Sequence, residues 1–187
     1  MQDVKYLAAV SGGPDSMALL NMYRKQIKMV CHVNYHRRPT ANRDANIVKN
    51  YCKAHKIPCS VLNVTSAMYK KYDNLSHNFQ TMARLIRYDF FKTISKKTKI
   101  STILIAHNKD DFLETALMQK EKESAALFYG INELAQFGGL KVYRPLLSIR
   151  KPDLKAFCDI MEIPYGIDET NENDKYARNK IRKEINT

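Results

Sequence analysis

Apolar positions along this chain fall into short blocks, and the blocks alternate between two spacings. Residues 6–10 form a continuous apolar run with the length of a buried strand. Residues 14–23 come next with a helical pattern that carries proline in its first turn. A second short apolar run covers 29–33, a helical stretch covers about 41–54, and 59–64 (CSVLNV) reads as a third strand. In the stretch 79–94 (FQTMARLIRYDFFKTI), apolar residues stand at 79, 82, 83, 86, 90 and 94, which is helical spacing. Arg84 and Arg87 lie one turn apart on another face of that helix. Residues 101–106 (STILIA) predict a fourth strand, and a helix begins at 110–118. Further on, 121–139 reads as a helix with a glycine-ended loop, and KVYRPLL as a short strand stopped by Pro145. KPDLKAFCDIM begins a helix with Pro152 in its first turn, and the final segment, NDKYARNKIRKEI, reads as a basic helix.

Strand and helix keep alternating, which predicts an α/β fold: a Rossmann-like, mostly parallel sheet with helices on both faces. Functional residues then belong at the carboxyl ends of the strands. The chain has 187 residues, 44% of them hydrophobic, which suits one compact domain with a real core.

Charge adds a partner class. Lys and Arg number 31 against 19 Asp and Glu, a formal net charge of +12. Such an excess suits a polyanion, because clustered cations release counterions from phosphates. Cys31, Cys52, Cys59 and Cys158 form no C-x-x-C pair, which argues against a zinc ribbon or a dithiol redox motif. No export signal and no apolar run of membrane-spanning length is present, so the expected setting is a reducing cytoplasm with no membrane partner.

The stretch KYLAAVSGGPDSMALL places Ser-Gly-Gly-Pro-Asp-Ser between a strand and a helix. Glycine after a strand permits a sharp turn and close backbone approach to a ligand. Amides of such a turn, followed by a helix N-terminus, bind anions. Ser11 and Ser16 add hydroxyl donors, and Asp15 suits a phosphate that carries Mg²⁺. The spacing is neither G-x-x-x-x-G-K-[ST] nor G-x-G-x-x-G. A tight turn capped by Ser or Asp is the plainer reading of the same residues.

S-G-G-x-D-S after the first strand resembles the signature of the PP-loop ATP pyrophosphatases. AHNKDDFLET (106–115) resembles the A-H-x-x-D-D-x-x-E-T motif of the tRNA(Ile)-lysidine synthetase family. ARLIRYDFF, YRPLLSIRKPDLKAFC and DETNENDKYARNKIRKEI resemble further segments of that family in the same order. The resemblance covers nearly the whole chain. It implies an adenine nucleotide alpha hydrolase-like catalytic domain spanning 1–187. The activity implied is ATP-dependent ligation of free L-lysine to C2 of the wobble cytidine in an isoleucine tRNA with a CAU anticodon. Adenylated tRNA is the intermediate; pyrophosphate and AMP are released. Another PP-loop tRNA-modifying enzyme of the thiolase type, or an inactive ATP- or tRNA-binding remnant, are the alternatives, and a homodimer is an assembly the chain could form. Family members usually continue past the R-N-x-I-R segment into tRNA-binding helices or domains, so the reading is of an excised catalytic domain or of a naturally minimal or degraded copy.

The resemblance assigns roles to residues. Ser11, Gly12, Gly13, Pro14, Asp15 and Ser16 form the expected ATP site. Asp15 and Asp111 are the expected Mg²⁺ ligands. Asp110 and Asp111 could also cap the helix they begin, with Asp111 favoured for the site. Glu114, one turn on, would support the metal, bind the lysine amine or stand as a solvated charge. His107 would contact ATP or move a proton. Arg38, Arg84, Arg87 and Arg182 are expected on phosphates or substrate, and Arg178, one helical turn before Arg182, at the catalytic site; a surface helix is the alternative for that last pair. Where the family commonly shows V-D-H-x-x-R-P this chain has VNYHRRP, so Asn34 stands in place of an acid.

Overall fold

The computed structural model describes residues 4–73, 78–121 and 128–167. Four parallel strands open the fold. They are β1 (Tyr6–Ala9), β2 (Ile27–Asn34), β3 (Cys59–Asn63) and β4 (Thr102–Ile105). A hairpin of β5 (Leu134–Phe137) and β6 (Leu140–Tyr143) completes a six-stranded sheet in the order β3-β2-β1-β4-β6-β5. β6 runs parallel to β4, and only β5 is antiparallel to its neighbour.

Among the described residues the helices are α1 (Pro14–Met22), α2 (Ala41–Ala54), α3 (Ser66–Asp73), α4 (Phe79–Thr98), α5 (Lys109–Glu121) and, after the last strand, α6 (Lys151–Ile160). Side chains along a strand point alternately to opposite faces, and β1 accordingly feeds two separate cores. Ala8 and Val10 join Val30 and Leu104 under α1, α2 and α6, packed on Leu19, Leu20, Val48 and Leu154. Leu7 joins Cys31, Ile103 and Val142 on the other face, against Tyr88, Phe91 and Ile94 of α4. The chain therefore covers one face with α1 and α2, returns across the other with α3 and α4, and re-enters the sheet beside β1. The loops after β1 and β4 lead away in opposite directions, which opens a crevice at the carboxyl ends of those two adjacent strands.

Helix termini reflect local chemistry. Pro14 opens α1 behind an extended Gly13, and Pro152 lies in the first turn of α6. Asn78 caps α4, its side-chain oxygen accepting from the amides of Gln80 (2.8 Å) and Thr81 (3.4 Å). That helix runs one turn beyond 94, to Thr98, and stops at Lys99 in the left-handed region. No helix among the described residues is long and apolar enough to cross a membrane.

One expected element is corrected. Of the segment 121–139, expected as a helix and a glycine-ended loop, residues 122–127 lie outside the described residues, and where the loop was expected Leu134–Phe137 is an edge strand. Gly138 (φ 54°) and Gly139 (φ 83°) make the two-residue hairpin turn that folds it back on β6. The expected basic helix at 173–185, with Arg178 and Arg182, lies outside the described residues.

Candidate functional site

The loop after β1 is built around one hydroxyl. Ser16 Oγ accepts from the amides of Ser11 and Gly12, both at 3.2 Å, and donates to the carbonyl of Gly13 at 2.9 Å. Ser11 Oγ lies 3.1 Å from it and accepts from the Gly13 amide at 3.4 Å. The loop amides thus converge on a point where an oxygen already sits. Gly12 has φ +96°, and a β-carbon there would come within 3.0 Å of both Cβ and the carbonyl oxygen of Asp44. Only glycine fits that turn without displacing backbone. Gly13 supplies no side chain to cap α1, so the amides of the first turn remain available to an anion.

Asp15 stands in that first turn, and its carboxyl is strongly perturbed. Burial pushes its carboxyl up to about 6 from 3.8. Lys151 and a hydrogen bond from Asn108 pull the other way, while the charges of Asp111 and Asp110 add to the rise. Its Oδ1 is buried without a hydrogen-bond partner. An orphaned carboxylate oxygen beside a second acid is the environment a divalent cation corrects. Mg²⁺ typically takes one or two carboxylates and completes its shell with water and phosphate. Asp15 and Asp111 fit that description, and among the described residues no group of three acid, His or Cys side chains forms a closed metal cage.

The paired acids at the start of α5 have separate duties. Asp110 faces α6: its oxygens accept from Arg150 Nε (3.0 and 3.2 Å) and from the Lys151 amide (2.7 Å), with Arg150 Nη2 at 2.9 Å. Burial raises its carboxyl, but the Lys151 amide and Arg150 outweigh that and hold it below the ordinary carboxylate range. Asp111 closes a reciprocal cap. Its Oδ2 accepts from the Asn108 amide (3.1 Å), and its own amide donates to Asn108 Oδ1 (2.9 Å). Capping therefore falls on Asp111, the acid expected at the site, while Asp110 is a structural anchor tied to α6. Glu114 is buried at 4% exposure, which rules out the solvated-charge reading.

Two cavities meet at the loop. One, of about 240 Å³, is lined by the loop, Asp15 and His107 at its polar end and by Val33, Tyr35, Phe91 and Ile105 elsewhere; Arg87 borders it. The other, of about 390 Å³, shares Ser11, Gly13 and Asp15 with the first and is lined by Arg38, Lys151, Lys155 and Tyr165. A chamber with an apolar wall and a chamber with a cationic wall thus share this one loop. The chain after α6 closes the second chamber: the Gly166 amide donates to Gly12 O at 2.8 Å, and Arg43 donates to Ile167 O at 2.8 Å. Buried Asp44 accepts from Arg43 and Arg38 beneath it.

The structure separates some residues that sequence places together. Arg87 reaches the apolar cavity, whereas Arg84 lies over the rings of Tyr88 (4.9 Å) and Phe137 (5.7 Å), away from it. Asn34 is buried, donating to Asn42 Oδ1 and accepting from the His36 amide, so its amide holds its own loop in shape. Four contributors were not singled out from sequence: Asn108, Lys151, Asp44 and Arg144. Arg144 is buried, and its Nε donates to His107 Nδ1 at 2.9 Å. The R-P-L-L segment holds that arginine, but nothing local says that it reaches back 37 residues.

Comparison with known proteins places the chain. The model of the PP-loop domain family matches residues 1–187, and the chain belongs to that family. It is 55% identical over 183 residues to a tRNA(Ile)-lysidine synthase of Ureaplasma parvum serovar 3, covering 98% of this chain and 55% of that protein. It is 44% identical over 186 residues to the tRNA(Ile)-lysidine synthase of Mycoplasma pneumoniae, covering 99% of this chain and 62% of that one. The chain thus spans less than two thirds of the length of these relatives. Among solved structures, the U34-tRNA thiolase NcsA of Methanococcus maripaludis superposes with a TM-score of 0.77 at 16% identity, covering 98% of this chain and 64% of that one. The NH3-dependent NAD synthetase of Campylobacter jejuni gives 0.59 at 15%, covering 87% and 66%. At such identities these two establish the fold alone.

Proposed function

We propose that this PP-loop domain is the catalytic part of a tRNA(Ile)-lysidine synthase acting in the cytoplasm. The observation that carries the reading is the loop of residues 11–16, set between an apolar chamber and a cationic one at the crevice of β1 and β4. A nucleoside suits the apolar chamber, with Tyr35 and Phe91 in its wall, and a polyphosphate tail crosses the loop toward Lys151 and Arg38.

The C2 oxygen of a cytidine is a poor leaving group. In the first step that oxygen attacks the α-phosphorus of ATP, and the bond to the β-phosphate oxygen breaks to release pyrophosphate. In the second, an amine of lysine attacks C2, the C2–O bond breaks, AMP leaves with the oxygen and the amine gives up a proton. Both steps gather negative charge on phosphate oxygens, so oriented N–H donors and cations are what the protein must supply. The first-turn amides of α1 supply donors, and Lys151 and Arg38 supply charge. Asp15 and Asp111 would hold Mg²⁺, which would neutralise phosphate charge and let a buried carboxylate stay ionised. Glu114 and Arg182 remain candidates for substrate contact, and Arg178 for catalysis.

A sulfur-transfer reading needs an activated cysteine. Among the described residues Cys31 is the cysteine that borders the apolar cavity, and burial pushes its thiol up to about 12, which suppresses the thiolate.

Incubating the protein with ATP, Mg²⁺, labelled lysine and total tRNA tests the proposal. Label should enter tRNA, and Asp15→Ala and Asp111→Ala should abolish incorporation. ATP binding without any lysine transfer would mark a non-enzymatic remnant and overturn it.

A further inference from the structure

The contact between Arg144 and His107 constrains the chemistry of the apolar cavity. Arginine carries only N–H donors, so a ring nitrogen hydrogen-bonded to its Nε at 2.9 Å must present a lone pair. His107 Nδ1 is therefore an acceptor, and the proton of the neutral ring is on Nε2. A flipped ring would set a carbon against the guanidinium and lose the bond. Arg144 is itself fixed. It is 7% exposed at the end of β6, and Nη1 donates to Asn132 O at 2.6 Å. The other titratable and charged groups near this pair come from several elements. Arg84 and Tyr88 of α4 flank the guanidinium. Asp15 of α1, Arg87 of α4 and Tyr35 after β2 border the cavity that His107 lines.

We propose that Arg144 is a positioning residue that locks His107 in the Nε2–H tautomer, so that His107 acts as a fixed hydrogen-bond donor to the nucleotide phosphate and not as the base that deprotonates the incoming amine. A base working through Nε2 needs a lone pair there, which requires the proton on Nδ1, where the arginine donor sits. The expectation from sequence that His107 either contacts ATP or moves a proton is thereby narrowed to the first. The role as phosphate donor rests on the proposed function; the tautomer does not.

The test is spectroscopic first. In protein labelled with ¹⁵N-histidine, long-range proton–nitrogen correlation spectra, assigned with His107→Gln, should show Nδ1 of His107 as an unprotonated, pyridine-type nitrogen and Nε2 as protonated. A protonated Nδ1 in the wild type overturns the proposal without any variant having to fold. Arg144→Met should shift the Nδ1 signal toward a mixture of tautomers, and Arg144→Lys should restore it in part; a signal unchanged in a folded Arg144→Met overturns the lock. In the lysine-transfer assay, His107→Gln, whose amide N–H replaces Nε2–H, should keep activity within about tenfold. His107→Ala, which lacks a donor, should lose about 10²–10³ in kcat. Equal, deep losses in both would mean a proton-transfer role and sink the donor assignment. The spectrum reports the tautomer whether or not the protein transfers lysine, so failure of the functional reading and failure of this one are separable.

Discussion

Replacing Asp15 by Asn should make the metal-free protein more stable while removing its response to Mg²⁺ and ATP. The carboxyl of Asp15 is moved from 3.8 to about 6, chiefly by burial and then by the charges of Asp111 and Asp110, against the pull of Lys151 and Asn108. An acid whose pKa is higher in the folded state binds more protons there than when unfolded. Stability therefore falls as pH rises from about 3.8 to about 6 and is level above that. The difference, 6 − 3.8, corresponds to about 3 kcal/mol of destabilisation at neutral pH. An acid in the first turn of a helix returns roughly 0.3–1 kcal/mol through the helix dipole, and Asn forgoes most of that. The net gain for Asp15→Asn is then about 2 kcal/mol, or about 4–8 °C in Tm for a chain of this size. Calorimetry in EDTA at pH 5 and pH 7.5 reads it: the gap between variant and wild type should be wider at pH 7.5. Adding Mg²⁺ and a non-hydrolysable ATP analogue at about 100 times Kd should raise wild-type stability by about 2.7 kcal/mol and leave the variant unmoved. A variant no more stable than wild type, with a gap indifferent to pH, would refute the claim that this carboxylate is held at a cost which a cation relieves.

The same geometry sets two further outcomes. Gly12→Ala puts a side chain at φ +96° and against the backbone of Asp44, so it should cost at least ~2 kcal/mol in urea unfolding and abolish nucleotide binding in a titration. Asp110→Ala leaves Arg150 and the Lys151 amide without their acceptor and should cost about 2–4 kcal/mol, with most of it absent when Arg150→Met is already in place. The Asp110 carboxyl is held low, so its contribution should be present above about pH 4 and fade as pH falls through the folded value; a wild-type acid limb identical to that of the variant would contradict this.

How much of the molecule is legible in its sequence depends on how far each determinant lies from the residue it determines. The strand, loop and helix of 6–23 were legible because their causes are local: glycine for the turn, proline at the helix start, apolar residues on either side. β5 was not, because LAQF is four residues long, alternates only weakly in burial and owes its pairing to β6 across Gly138–Gly139. That pair of glycines between two apolar stretches was the available hairpin signal. Asp110 and Asp111 are alike in type and adjacent, and although Asp111 was favoured for the site, nothing local shows that Asp110 is an anchor; a guanidinium 40 residues downstream does. The same holds for Glu114, whose helical position suits solvent but whose burial is set by tertiary packing. Lys151 joins Asp110 of the pair to Asp15. In sequence it is a lysine before a proline at the start of a helix. In space its amide ties that helix to Asp110 and its charge opposes the burial of Asp15. Asp110 therefore places, through α6, the cation that opposes the burial of Asp15, so the acid that never meets the loop still sets the charge beside it.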